Sequence, residues 1–198
     1  MKILAISTSP RTGGNTDLLV DEIVRSAREE PGAEVEKVSL KSLSIHPCIE
    51  CDLCQHTGEC AVNDDMVHMY AKLLDADRIV FATPVFFLGP AAQAKMFIDR
   101  CQALWARKYR KGERLLSRTF PDRRLGYLVS TGGTRGKRVF ECVQRSIRNL
   151  YETIEVMYDG DLLYRQIDEK GAILNHPTAM KDAYELGKKI SKRFKWDE

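Results

Sequence analysis

Long apolar runs are missing from this sequence, and none approaches the ~20 residues that a membrane-crossing helix needs. The N-terminal stretch Ile3-Leu4-Ala5-Ile6 gives way at once to Ser7-Thr8-Ser9-Pro10. That is too short for a secretory signal, so a cytoplasmic protein without membrane contact is expected. An excess of one charge is missing too. The 31 Lys and Arg stand against 28 Asp and Glu, and a net charge of +3 offers nucleic acid no whole-molecule field. No Walker lysine follows a Gly-rich loop, which disfavours nucleoside triphosphates, and the G-x-G-x-x-G dinucleotide fingerprint is absent. No Ser-His-Asp, paired-carboxylate or metal-hydrolase constellation stands out, so hydrolysis has no support and no catalytic residue is named. Repeats and low-complexity linkers are also absent, which leaves one domain over 1–198.

What is present alternates. Residues 2–7 read as a buried parallel strand, followed by a polar, Gly-rich turn at 9–16. A helix then carries Leu18, Leu19, Ile23 and Ala27 on one face, capped by Asn15 or Thr16 and ended by Pro31-Gly32. Residues 33–40 alternate as a second strand, and Asp64-Asp65 opens a helix to about Asp75. Residues 79–82 read as the third strand, 83–89 as a loop and 90–105 as a helix. Residues 125–129 form the fourth strand, 130–133 a turn and 135–150 a helix, with the fifth strand within 154–163. Pro177-Thr178 starts a last helix whose Met180, Tyr184, Gly187, Ile190 and Phe194 share a face. This alternation predicts an α/β fold with helices on both faces of a doubly wound parallel sheet. Five strands is the count of the flavodoxin-like arrangement, order 2-1-3-4-5.

In such a sheet ligands bind where the strand order reverses, between strands one and three. The loop after strand one suits a phosphate there. Ser7, Ser9, Thr12, Asn15 and Thr16 are neutral donors, Arg11 adds charge, Gly13 and Gly14 free the backbone, and the helix dipole points at it. A ligand-free helix cap explains this loop equally well taken alone. Two more strand ends at the same edge, Thr83-Pro84-Val85-Phe86-Phe87 and Ser130-Thr131-Gly132-Gly133, favour a ligand. They offer the backbone donors and apolar faces that a flat heteroaromatic ring requires.

At this point the sequence resembles the NADPH-dependent FMN reductase superfamily and, within it, the iron–sulfur flavoproteins. The resemblance runs from Ser7-Thr8-Ser9-Pro10-Arg11 through Gly14-Asn15-Thr16, a cysteine cluster, Asp64-Asp65-Met66 and Thr83 to Phe87, to Lys95-Met96-Phe97-Ile98-Asp99-Arg100. It implies FMN, with the phosphate at Ser9, Arg11, Asn15 and Thr16 and the ring against Pro84, Val85, Phe86, Phe87, Leu88 and the Ser130–Gly133 loop. It also implies a homodimer or homotetramer. Phe86 replaces a tyrosine usual in the family, which removes one phenolic hydrogen bond.

The cysteines Cys48, Cys51, Cys54 and Cys60 form C-x-x-C-x-x-C-x5-C within the segment 47–60. Thiolates three residues apart can converge on one cubane, and the longer last step closes its fourth corner, so a [4Fe-4S] cluster ranks first. Structural zinc competes, although zinc sites usually split into two separated knuckles. Free thiols rank third because four together are an oxidation hazard. Glu50, Asp52 and Glu59 would lower a cluster's potential, and His46 and His56 flank the motif without being needed as ligands. Cys101 and Cys142 read as small core residues.

Residues 107–124 hold eight basic side chains (Arg107, Lys108, Arg110, Lys111, Arg114, Arg118, Arg123 and Arg124) against Glu113 and Asp122. They suit a solvated loop, a dock for an acidic donor such as ferredoxin, or a site for the extra phosphate of NADPH. The expected function is an oxidoreductase passing electrons between a cluster and FMN, with ferredoxin or NAD(P)H as donor. The alternatives are a NAD(P)H-dependent FMN or quinone reductase without a cluster, a flavodoxin-type carrier, and a zinc-stabilised module with no cofactor.

Overall fold

A computed structural model describes residues 1–116, 119–120 and 123–192. Arg118 and Asp122 of the basic segment and Phe194 of the last helix lie outside the described residues. The chain runs β1 (Lys2–Ser7), α1 (Asn15–Ala27), β2 (Glu34–Ser39), α2 (Leu53–Thr57), α3 (Met66–Asp75), β3 (Arg78–Phe86) and β4 (Gly89–Pro90). It continues through α4 (Ala92–Arg100), α5 (Gln102–Trp105), β5 (Leu125–Gly132), α6 (Glu141–Thr153), β6 (Met157–Arg165) and α7 (Ala179–Ile190).

The sheet order is β2-β1-β3-β5-β6, all parallel, with β4 a two-residue antiparallel partner of β3. Without that short strand, this is the expected 2-1-3-4-5 flavodoxin-like order. Alternation along each strand separates two apolar layers. Ile3, Ala5, Val80, Ala82, Tyr127 and Val129 face α1 and α7. Leu4, Ile6, Ile79, Phe81 and Leu128 face α3, α4 and α6. Each of the Val, Leu, Ile and Phe side chains buried this fully contributes about 1.5–3 kcal/mol.

Several boundaries differ from the sequence-based expectation. β3 continues to Phe86 where a loop was expected from Thr83, because backbone pairing with β5 extends to Pro84–Thr131. The chain then reverses through Phe87 and Leu88, both at positive φ (48° and 62°), into β4. The helix expected over 90–105 breaks at Cys101 into α4 and α5 and runs on as a π-turn over Ala106–Arg110. α6 starts at Glu141 rather than 135, and β6 runs on to Arg165. The N-cap of α1 is Gly14, not Asn15 or Thr16. Cys101 is buried as expected, but Cys142 is exposed because α6 turns it away from the apolar stripe Val143, Ile147 and Leu150. Arg124 is no solvated charge: it is buried and donates to the carbonyls of Ala76, Ile154 and Leu73. Among the described residues, no helix is long and apolar enough to cross a membrane.

Candidate functional site

The carboxyl ends of the parallel strands meet along one rim, where a crevice opens at the β1/β3 reversal. Ser9, Arg11, Gly14, Asn15 and Thr16 line it after β1, Pro84, Val85 and Phe86 at the end of β3, and Thr131, Gly132 and Gly133 at the end of β5. The fold therefore brings most of the expected site residues together. Thr83 and Ser130 lie fully buried below it. Ser130 Oγ donates to Thr83 O at 2.6 Å, and Thr83 Oγ1 accepts from Ala91 N at 3.0 Å. Phe87 and Leu88 sit at the hairpin tip, exposed to solvent and outside the crevice lining.

Ile167, Asp168 and Lys170, from the segment after β6, complete the lining and were not foreseen. The available signal was that every parallel strand aims its carboxyl end at this rim. A strand ending by residue 163 does not carry the chain that far, whereas β6 runs on to Arg165.

The start of α1 forms the polar end of the crevice. Gly14 supplies no side-chain cap, so the first-turn N–H groups have no side-chain partner among the described residues and the helix dipole points outward. A Cβ at Gly14 would stand 2.7 Å from Ser9 Oγ and 3.1 Å from Arg11 O, so this tight loop accepts only glycine. Asn15 is a strut as well as a lining residue: Nδ2 donates to Glu169 O at 2.8 Å, and Oδ1 accepts from Ile173 N at 3.2 Å. These bonds tie the 169–173 segment to the loop. Open helix N–H groups with Arg11 and Lys170 at the mouth fit a phosphate monoester. The Gly14→Ala variant is expected to bind FMN at least ~10-fold more weakly, ~1.4 kcal/mol, with riboflavin affinity nearly unchanged. Fluorescence titration of apoprotein with each flavin checks this. Equal losses for both flavins would place the damage away from a phosphate.

Asp17, not foreseen either, braces this loop from below. It accepts from Ser7 Oγ at 2.9 Å and Gly13 N at 3.0 Å, and pairs with Lys37 at 2.7 Å. Ser7 is thereby engaged inside the protein rather than offered to a ligand. Burial pushes the Asp17 carboxyl up, but hydrogen bonds from Lys37, Gly13 and Ser7 outweigh it and hold the pKa below the usual 3.8. A lowered folded pKa means stability that is present above the unfolded pKa and lost as pH falls through the folded one. The stability advantage of the wild type over Asp17→Asn is therefore expected to be flat from neutral pH down to about 5 and to shrink below 4. Urea unfolding of both proteins across that range is the measurement, and a gap that widens in acid would refute the bracing role.

The cysteines lie on a second structure, the segment between β2 and α3. Cys48 and Cys51 are exposed and Cys54 and Cys60 half-buried, with Cys54 on the single-turn α2. Partial burial pushes the Cys54 thiol up, and Cys60, Cys48 and Cys51 push it further. Among the described residues, no three His, Cys, Asp or Glu side chains stand close enough together to hold a metal ion. The donor chemistry of four thiols, one beside a buried guanidinium, nevertheless suits an anionic iron–sulfur cluster. Glu50, Asp52 and Glu59 are all exposed around it, the first two at positive φ (53° and 58°). The basic segment packs onto this loop. Lys111 Nζ donates to His56 O at 3.2 Å, and the Arg107 stem covers Gly58.

A parallel sheet of this order, with an open helix N-terminus at the reversal and a crevice beside it, defines the flavodoxin-like class. Residues 1–156 match the NADPH-dependent FMN reductase family, and the chain belongs to that family. An iron–sulfur flavoprotein of Methanocaldococcus jannaschii is 43% identical over 104 residues, which are 52% of this chain and 53% of that one. The match thus spans only about half of that relative's length. A Bacillus subtilis protein named as a NAD(P)H-dependent FMN-containing oxidoreductase is 26% identical over 96% of this chain and 98% of its own. A flavone reductase structure superimposes with a TM-score of 0.69 at 26% identity, covering 96% of this chain and 62% of that one.

Proposed function

We propose that this chain is an FMN-dependent oxidoreductase in which electrons pass between FMN in the rim crevice and a [4Fe-4S] cluster on Cys48, Cys51, Cys54 and Cys60. The observation that carries this reading is that one chain holds two structures of different chemistry: a crevice at the β1/β3 reversal whose polar end fits a phosphate, and a loop bearing four thiols. When bound, the cluster supplies single electrons and the flavin one or two. Ser9, Arg11, Gly14, Asn15 and Thr16 hold the phosphate, with the ring against Thr83 to Leu88 and Ser130 to Gly133. Arg107 and Lys111, packed on the cysteine loop, suit an acidic donor such as ferredoxin, with NAD(P)H the other candidate. The assembly is a homodimer or homotetramer working in the cytoplasm, where thiols stay reduced.

A spectrum of protein purified without oxygen, with iron, sulfide and zinc assays, tests this. Flavin bands with a broad cluster shoulder and about four irons per chain are expected. Zinc in place of iron would end the cluster reading. A second reading, a NAD(P)H-dependent FMN or quinone reductase without a cluster, draws support from the Bacillus subtilis relative, similar along 96% of this chain. Flavin bands without iron, together with turnover on NAD(P)H, would establish it.

A further inference from the structure

The neck of the cysteine loop is closed by one buried ion pair. Arg100 and Asp64 have side chains 0% and 3% exposed, and the guanidinium meets the carboxylate through Nη1 at 2.6 Å and Nη2 at 3.0 Å. The same two nitrogens donate to His46 O at 2.9 Å and Val62 O at 3.0 Å, one residue on each flank of the loop. Asp64 also accepts from the backbone N–H groups of His46 and Met66. A single charged pair therefore fastens both ends of the segment bearing all four cysteines. Its remaining nitrogen, Arg100 Nε, is buried without a hydrogen-bond partner among the described residues. A buried donor left unpaired is costly, so a partner is called for. Cys60 is beside both the guanidinium and the hydroxyl of Tyr70, which donates to Arg100 O at 2.8 Å.

We propose that Arg100 is a positioning residue for the cluster: with Asp64 it fixes the neck of the cysteine loop, and its cationic edge at Cys60 sets the cluster's reduction potential. This rests on the cluster reading given above. A cluster gains negative charge on reduction, so a fixed cation at one sulfur favours the reduced form and raises the potential. Asp64, on the far side of the guanidinium, damps that effect. Changes to the two partners should consequently move the potential in opposite directions. Loop scaffolding alone would not produce opposite signs.

The experiment is a potentiometric titration, followed by electron paramagnetic resonance, of the full chain purified without oxygen, with iron and sulfide assayed on each sample. R100Q is expected to lower the potential by about tenfold in the one-electron equilibrium, or about 59 mV. D64N is expected to raise it, while R100K, which keeps the charge, stays near the wild type. If R100Q does not retain iron, D64N still carries the sign: a rise supports the assignment, and no change overturns it. Iron-loaded variants that all titrate at the wild-type potential overturn the tuning and leave the cluster reading intact. A wild-type chain without iron overturns the cluster reading, and the tuning with it.

Discussion

Replacing Cys54 by alanine is expected to take iron from about four atoms per chain to near none, with FMN occupancy unchanged. Cys54 is the central member of the quartet. It is half-buried on α2, and its thiol is pushed up by burial and by each of the other three cysteines. In the proposed cluster, removing one corner of the cubane leaves an iron without a protein ligand in a loop whose other thiols include two exposed ones. FMN should stay because the crevice draws its lining from the ends of β1, β3, β5 and β6, and none of the cysteines lines it. Cys142→Ala is the control. That cysteine is exposed on α6, outside the quartet, and its loss should leave iron content as it was. Iron retained at full stoichiometry in Cys54→Ala would remove Cys54 from the ligand set.

The second large effect concerns stability. α1 and α7 pack against each other at Gly187, where an added Cβ would stand 1.9 Å from Ser26 Oγ and 2.3 Å from Ile23 O. Ser26 could rotate its hydroxyl, which now donates to Ile23 O at 3.1 Å. The Ile23 carbonyl belongs to the backbone of α1 and cannot move without the helix. Gly187→Ala must therefore push the two helices apart along the layer containing Leu19, Ile23, Ala183 and Ile190. Overpacking against backbone is expected to cost ~3 kcal/mol, at the upper end of the usual range. For a domain of this size that lowers the melting temperature by ~6–12 °C. Thermal unfolding followed by circular dichroism reads this directly, and a change of less than ~2 °C would mean the helices yield far more easily than their contacts imply. α1 also presents the proposed phosphate site, so FMN affinity should fall in the same variant.

Much of the fold was legible because its signals are short-range. The apolar run of β1, the alternating β2 and the helical stripe of α1 each fit within a dozen residues, and periods of 2 and 3.6 tell strand from helix. The loop proposed to hold the phosphate was legible as a loop for the same reason: Ser9 to Thr16 are neighbours in sequence and remain neighbours in space. The four-cysteine spacing is likewise a local quantity. Boundaries were less legible, since β3 runs on past Ala82 because β5 pairs with it to Pro84 and β4 pairs with Val85 and Phe86.

Three features needed the tertiary structure. Lys170 and Asp168 reach the crevice from more than 150 residues beyond the first phosphate-loop residues, carried there by the end of β6 and held by the amide of Asn15. Arg124 read as one more charge in a basic run, yet it is buried against three carbonyls from elements far away in the chain. Arg100 was legible only as part of a family motif; its grip on His46, Val62 and Asp64 depends on α4 packing beside the cysteine loop. The physical reason is common to all three. Periodicity reports which face of an element is apolar, whereas the role of a polar or charged side chain is set by the partners that satisfy it, and these come from distant parts of the chain.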